Sequence, residues 1–394
     1  MSQAIIAAAL ALAVWVGQTG DSEAQKPRSE QSGLKKELAA LAKQIQPEAA
    51  KYGDAVIMGE FTGPPELASS GGPGISQTLK VELEKLGVQV KRSARIAVKG
   101  EYKIVTDAAS KLTVMAVLAR IVDRNGKELL ELRSRGVFDL TSIASVTGAT
   151  MVVPPDASPK EREKAVDQAL ESIQKPTAKG TRISASRTSP YSIEILVGPD
   201  PGAGPPDLSK YRPRAPSFDG DGLAFLSIAK GEVYAVRVLN QSKHDAAVTL
   251  TVDGLNMFAF SDTPSYEFFI LGAGAEGVIP GWHRTNQTSD AFQVDDYARS
   301  AAAEKLPNSS SIGTIHVSFK AAWPKGGTPP ADEGESAAGA SARSGLATGR
   351  GPAVAAKYEE VLRDVGRLRE AVAVRYDKTA EPTDLPADAP PAKP

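Results

Sequence analysis

The stretch Thr249-Leu-Thr-Val-Asp-Gly-Leu-Asn256 decides the fold class of this chain. Thr249 to Val252 alternate polar and apolar residues as a half-buried strand does, and Asp253-Gly254 is a strong turn dipeptide. Leu255, Met257, Phe258 and Phe260 resume the apolar pattern, so the turn is set between two buried runs. Downstream, Gly272-Ala-Gly-Ala-Glu-Gly277 marks a second turn. It leads into Val278 and Ile279 and places Trp282 of Ile279-Pro-Gly-Trp282 at a strand end. This is the pattern of a β-sandwich.

Working outward, residues 223–228, 233–239, 246–252, 268–271, 291–294 and 312–319 read as short strands at sandwich spacing. The sandwich is expected over residues 222–324. Upstream, residues 176–221 are rich in Pro, Gly, Ser and Thr and read as a connector holding one strand, Tyr191 to Val197. Downstream, residues 325–353 have the composition of a disordered linker, and 378–394 that of a disordered tail. Between them, residues 354–377 predict a helix over Lys357 to Leu368, then a strand, Val372 to Tyr376. This piece is expected to return to the body at a sheet edge.

The N-terminal unit, residues 33–175, reads differently. Leu34, Leu38, Leu41, Ala42 and Ile45 fall on one helix face, with a stop expected near Pro47. Residues 54–61 suit a buried strand. Ile75, Leu79, Leu83 and Leu86 mark a second helix with Gly87 as its C-terminal stop. Residues 95–105 predict a strand, and 112–122 with 128–138 a hairpin across Asp123-Arg-Asn-Gly126, where Asn-Gly favours a type I′ turn. Ser158-Pro-Lys-Glu161 is a capping box opening a last helix. The whole chain is therefore read as α+β: a two-layer N-terminal domain with a small mixed sheet, followed by a C-terminal antiparallel β-sandwich.

Composition bounds the function. With 41% hydrophobic and 24% charged residues the chain is ordinary for a folded protein, and its net charge of -1 supplies no electrostatic footprint for nucleic acid. Its lack of cysteine excludes disulfides, thiolate metal sites and a lipid-anchoring cysteine. Three histidines, His244, His283 and His316, leave little for a multi-histidine metal centre. Ala4 to Val16 is an apolar run too short to span a bilayer but suited to an export signal, with Ser22-Glu-Ala24 offering cleavage after Ala24. Residues 1–24 are thus expected to be a signal peptide and 25–32 a linker. The rival reading is an uncleaved anchor.

Asp54-Ala-Val-Ile-Met-Gly-Glu-Phe61, the glycine-rich loop and Ile75-Ser-Gln-Thr-Leu-Lys-Val-Glu-Leu83 resemble the opening of a bacterial envelope superfamily. It includes the curli-export channel subunit, FlgO-like flagellar proteins and lipoprotein activators of penicillin-binding proteins. Val98-Lys-Gly-Glu-Tyr-Lys103 and Ala119-Arg-Ile-Val-Asp-Arg-Asn-Gly-Lys127 look like that superfamily's glycine-bearing strand and final hairpin. The chain departs from it in having no lipidated cysteine and no long amphipathic insertion. The resemblance covers about a third of the chain and implies an envelope-associated binding module. Gly231-Glu-Val-Tyr-Ala-Val-Arg-Val-Leu-Asn240, Val252-Asp-Gly-Leu-Asn256, Ile279-Pro-Gly-Trp282 and Ser311-Ile-Gly-Thr-Ile315 resemble an uncharacterised family of secreted bacterial β-sandwich proteins. That likeness implies fold and export, and no catalysis.

Candidate sites each have a plainer reading. Gly71, Gly72 and Gly74 lie in a loop entering a helix, where backbone amides can cradle an anion, but the phosphate-loop lysine is missing. Asp219-Gly-Asp221 could offer oxygens to calcium but reads as a turn. His283 with Asp253 or Asp290 and Ser289 can be drawn as a hydrolase triad, yet no Gly-x-Ser-x-Gly elbow exists. Tyr234, Phe258, Phe260, Tyr266, Phe268, Phe269 and Trp282 would line a sugar-binding face or pack a core. The ligand-binding candidates are Trp282, His283, Asp253 and Asn256; no catalytic residue, metal or cofactor is assigned. The expectation is an exported, non-enzymatic binding or adaptor protein of the bacterial envelope, periplasmic or extracellular. An envelope protein is the expected partner, with a carbohydrate- or surface-binding sandwich as the alternative and a hydrolase behind both.

Overall fold

The structure, a computed structural model, describes residues 33–377 apart from 64–71, 107–112, 138–139, 169–173, 219–221, 296–312, 334–349 and single positions at 155, 159, 163, 166–167, 203, 259, 264–265, 267 and 357. The signal peptide, Gly71, the Asp219–Asp221 turn and the inner face of the last predicted helix lie outside the described residues.

The fold is α+β. In the N-terminal unit, helix α1 (Leu34–Ala50) precedes strand β1 (Ala55–Thr62), helix α2 (Gly72–Lys85) and strands β2 (Gln89–Val90), β3 (Ile96–Thr106), β4 (Thr113–Asp123) and β5 (Glu128–Arg133). Helix α3 (Leu140–Thr147) and strand β6 (Met151–Val152) complete it. Leu38, Leu41, Ala42, Ile45 and Ala49 are all fully buried, so the α1 stripe is the packing face its spacing predicts. The helix continues through Pro47 to Ala50: the proline removes one ladder hydrogen bond in the last turn, and the three residues after it stay helical. Helix α2 ends as read: Gly87 has φ +84°, Gly87 N donates to Glu84 O at 3.0 Å and Val88 N to Leu83 O at 3.1 Å, a Schellman stop.

The sheet order is β2-β1-β3-β4-β5, with β1 parallel to β2 and β3 and the rest antiparallel, so the sheet is mixed. At Gly100, mid-β3, a Cβ would collide with the Leu118 carbonyl and the Phe61 ring, which only glycine avoids. The β4–β5 turn is not type I′. Gly126 has φ +80°, whereas Asn125 is not left-handed. Asp123 Oδ1 instead accepts from Asn125 N at 2.8 Å and Lys127 N at 2.9 Å, and that side-chain cap sets the loop. The capping box forms as read, Glu161 Oε2 accepting from Ser158 N at 2.7 Å.

The sandwich is larger than 222–324. Strands β7 (Thr177–Lys179), β8 (Arg182–Ser184), β9 (Tyr191–Gly198), β10 (Arg212–Pro213) and β11 (Ser217–Phe218) already belong to it, so the connector is part of the sandwich. Strands of two or three residues between prolines and glycines carry too few positions for a periodicity to register. There follow β12 (Ala224–Ser227), β13 (Val233–Asn240), β14 (Asp245–Val252), β15 (Leu255–Asn256), β16 (Phe269–Leu271), β17 (Glu276–Ile279), β18 (Gly281–Thr285) and β19 (Thr288–Gln293). The last are β20 (Thr314–Pro324), β21 (Arg350–Ala355) and β22 (Arg363–Asp377).

One sheet has the order β18-β19-β13-β9-β8-β7, with β10, β17 and β21 joined to it; the other runs β11-β12-β22-β20-β14-β15, with β16 and β6 joined. Pairing is antiparallel throughout the sandwich except β12 with β22, which is parallel. The opening stretch is a hairpin: β14 meets β15 across Asp253 (φ 53°) and Gly254 (φ 77°), both left-handed as a primed turn requires.

The C-terminal segment corrects two expectations. No helix forms over the described residues 358–368; a 15-residue strand, β22, runs from Arg363 instead. That strand is not an edge: it lies between β12 and β20 and also pairs β6. Val361 lies before the strand, and within it the β20–β22 register slips twice between Phe319 and Ala322, so bulges break the period of two around Val365 and Leu368. The expected linker is shorter as well. Residues 325–333 fold back, Glu333 is 1% exposed, and β21 begins at Arg350.

Two large cores result, and β22 serves both. Val372, Val374 and Tyr376 pack inside the sandwich. Leu368 and Ala371 pack with α1, α2 and α3 in the other core. The joint is reinforced by Val153 N donating to Arg369 O at 2.8 Å and Ala373 N to Thr150 Oγ1 at 3.1 Å. Arg369 in turn is clamped by Asp332, bidentate at 2.7 Å to each oxygen, and by Glu333 at 2.6 Å. A Cβ at Gly366 would strike the Glu333 carboxylate, which is why that strand position is glycine.

Candidate functional site

The four ligand-binding candidates do not form one site. Asp253 is fully buried at the β14–β15 turn. Its Oδ1 accepts from Gly313 N at 2.6 Å and Thr314 N at 3.1 Å, and its Oδ2 from the Tyr376 hydroxyl at 2.8 Å. Those bonds tie the turn to β20 and β22. Burial pushes the Tyr376 phenol well up, and the Asp253 carboxylate pushes it further. Asn256 is spent locally, its Oδ1 accepting from Phe258 N at 3.0 Å. Trp282 is fully buried, edge-on to Phe292 at 4.7 Å and Phe260 at 5.9 Å. It is core.

The described anion-loop glycines serve close packing. A Cβ on Gly72 would run into the Phe61 carbonyl, and one on Gly74 into the Gly254 carbonyl of the sandwich turn. The first turn of α2 therefore lies against backbone.

His283 is different, although it is only 1% exposed. Strand β18 pairs His283 with Ser289 of β19. Its Nδ1 lies 3.0 Å from Ser261 Oγ and its Nε2 3.2 Å from Asn286 Oδ1. With Asn286 Oδ1 accepting, Nε2 carries the proton, while the single Ser261 hydrogen is shared between Nδ1 and the Thr263 carbonyl, 3.1 Å from Ser261 Oγ. Burial lowers the imidazole pKa, against the opposite pull of Asn286 and Asp262. Around it stand Phe258 at 5.0 Å, Tyr266 at 5.6 Å and Tyr358 at 5.5 Å, and Phe269 touches Phe258 at 4.8 Å and Tyr358 at 5.0 Å. A triad is not assembled: both ring nitrogens are engaged by Ser261 and Asn286, while Asp290 lies 3.7 Å from Arg284 and Asp253 belongs to the β14–β15 turn.

This cluster reaches the surface. Tyr266, Phe269 and Tyr358 are half-buried, as is Phe268 next to Phe269 in sequence, and past Tyr358 in sequence come the exposed Val361 (45%) and Leu362 (72%). Tyr358 arrives on a strap: β21 pairs β19, Ala356 N donates to Gln287 O at 2.9 Å, and Tyr358 N donates to Asn286 O at 2.9 Å. Burial pushes its phenol up to about 12. Sequence reasoning assigned Tyr358 to a helix and missed Ser261 and Asn286. The signals present were the Glu359-Glu-Val-Leu362 run, apolar residues beside charge, and Asn286 three positions after His283.

No group of three or more metal-ligating side chains gathers among the described residues, and none of their helices is long and apolar enough to cross a membrane. No protein-family model, no curated protein and no solved structure matches this chain.

Proposed function

We propose that this protein is an exported, non-enzymatic binding or adaptor protein of the bacterial envelope, acting through a protein partner. The observation that carries the reading is the strap that brings Tyr358 to His283: Tyr358 and the Phe269 ring it meets are only half-buried, and the strap continues in sequence into the exposed aliphatics Val361 and Leu362. Exposed aliphatics on the same strap as a half-buried ring suit the apolar centre of a protein contact. Sugar recognition calls for open, flat rings. The likeness of residues 54–127 to envelope proteins supports the compartment, and export is expected to leave Gln25 as the mature N-terminus.

A photo-crosslinking residue placed at Leu362 in the full chain, expressed in its native cell, tests this. A discrete protein adduct from Leu362, and none from a control at exposed Lys179, is expected. Equal adducts from both positions, or none from Leu362, would remove the protein-contact reading. Retention on a glycan array lost with Tyr266→Ala would replace it with carbohydrate binding.

A further inference from the structure

Glu370 sits in the middle of β22, 4% exposed, opposite Phe319 of β20 and Val152 of β6. Its Oε2 meets the hydroxyl of Ser189, which closes the turn between β8 and β9. The same hydroxyl oxygen lies 3.0 Å from Tyr191 N and 2.6 Å from Tyr191 O. A serine hydroxyl has one hydrogen to give and two lone pairs to offer. The Tyr191 amide donates to it. If Glu370 were ionised, two acceptors, its carboxylate and the Tyr191 carbonyl, would compete for the single hydrogen, and one would stay unpaired. If Glu370 is protonated, it donates to Ser189, Ser189 donates to the Tyr191 carbonyl, and every group is satisfied.

We propose that Glu370 carries a proton in the folded protein and acts as a pH-sensitive latch holding the β8–β9 turn onto β22. Uptake of the proton closes the latch and its loss opens it.

The surroundings agree. Burial pushes the carboxyl up to about 7, against the opposite pull of the Ser189 hydroxyl. Among the described residues no cation pairs with Glu370. Arg369, next on the strand, is taken by Asp332 and Glu333 of the 325–333 segment. Arg162, from the helix that follows the capping box, feels Arg367, Glu333 and Arg369. From β9 comes Tyr191, its phenol pushed up by burial and its hydroxyl 3.4 Å from His244 Nε2. His244, in the β13–β14 loop, is held below its ordinary pKa by burial. On the turn itself Arg187 is exposed to solvent.

Between the ordinary carboxyl value of 4.5 and about 7 the folded chain holds a proton that the unfolded chain has released. The latch is fully effective below the lower value and is lost as pH rises through the upper one. Opening releases the turn from Glu370 and loosens the cover on Tyr191, whose ring stacks on Phe319 at 4.8 Å.

Hydrogen exchange of peptides spanning 185–192, corrected for intrinsic rate, tests this on the full chain at pH 6.0 and 8.5. Wild type is expected to lose protection by about 30-fold at the higher pH, the ratio of ionised to neutral carboxyl about 1.5 pH units above its midpoint. Glu370→Gln keeps the donor at every pH, so its protection should be flat and high. Ser189→Ala should be poorly protected at both. Should Glu370→Gln fail to fold, the protonated-carboxyl C=O band in infrared difference spectra of the wild type must disappear between the same two pH values, and in Ser189→Ala its position must shift. A flat wild-type profile, equal pH sensitivity in Glu370→Gln, or no such band would overturn the latch.

Discussion

At the scale of single residues, Asp253 decides more than its place in a turn suggests. Its carboxylate is the fully buried acceptor for two amides and a phenol, and its backbone is left-handed. Asp253→Ala would orphan those donors and put alanine at φ 53°, at a cost of roughly 3 kcal/mol or more. Asp253→Asn keeps an acceptor and tolerance of the left-handed region, so it should cost distinctly less. Urea unfolding of the two variants checks the order, and equal losses would mean that the carboxylate is not the tie. Trp282→Ala should cost about 3–5 kcal/mol through lost burial and the cavity left, read in the same titration. The turn itself was legible, because Asp-Gly between apolar runs is a local signal. What its carboxylate holds was not, since Gly313 and Tyr376 lie 60 and 123 residues away.

At the scale of elements, β22 repays the closest reading. The α1 stripe and the Gly87 stop were legible because helix faces and helix ends are written within a dozen residues. The alternation of Val372, Val374 and Tyr376 was legible for the same reason. The half of β22 before it was misread as helix, because two bulges shift its register and its partner β20 is remote in sequence. Gly366, a poor helix residue, was the local warning. The strand is paired on both sides, so an engineered protease site between residues 334 and 349, once cut, should leave the C-terminal fragment bound through size-exclusion chromatography and release it only on denaturation. Elution of the fragment alone under native conditions would show that β22 is not an interior strand.

At the scale of the whole molecule, the two-domain division read from composition gives way to two cores sharing one wall. Leu368→Ala touches only the N-terminal core, yet should lower one common unfolding transition by about 2–5 kcal/mol. Two separated transitions, with Trp282 fluorescence unchanged in the second, would show that the cores are uncoupled. Acid should weaken the joint itself. His316 of β20 is 2% exposed, and burial lowers its pKa from 6.5 to about 4. The unfolded chain therefore takes up a proton that the folded one refuses, and up to ~3 kcal/mol of stability, complete above 6.5, is lost as pH falls through 4. His316→Gln should flatten that acid limb of a stability–pH curve; an unchanged limb would place the loss elsewhere. The position of β22 along the chain also carries a consequence for biosynthesis. The nascent polypeptide can finish neither core until residues 363–377 have left the ribosome, so both cores wait on a segment made late. Closure of either core therefore waits for β22 to insert between β12 and β20.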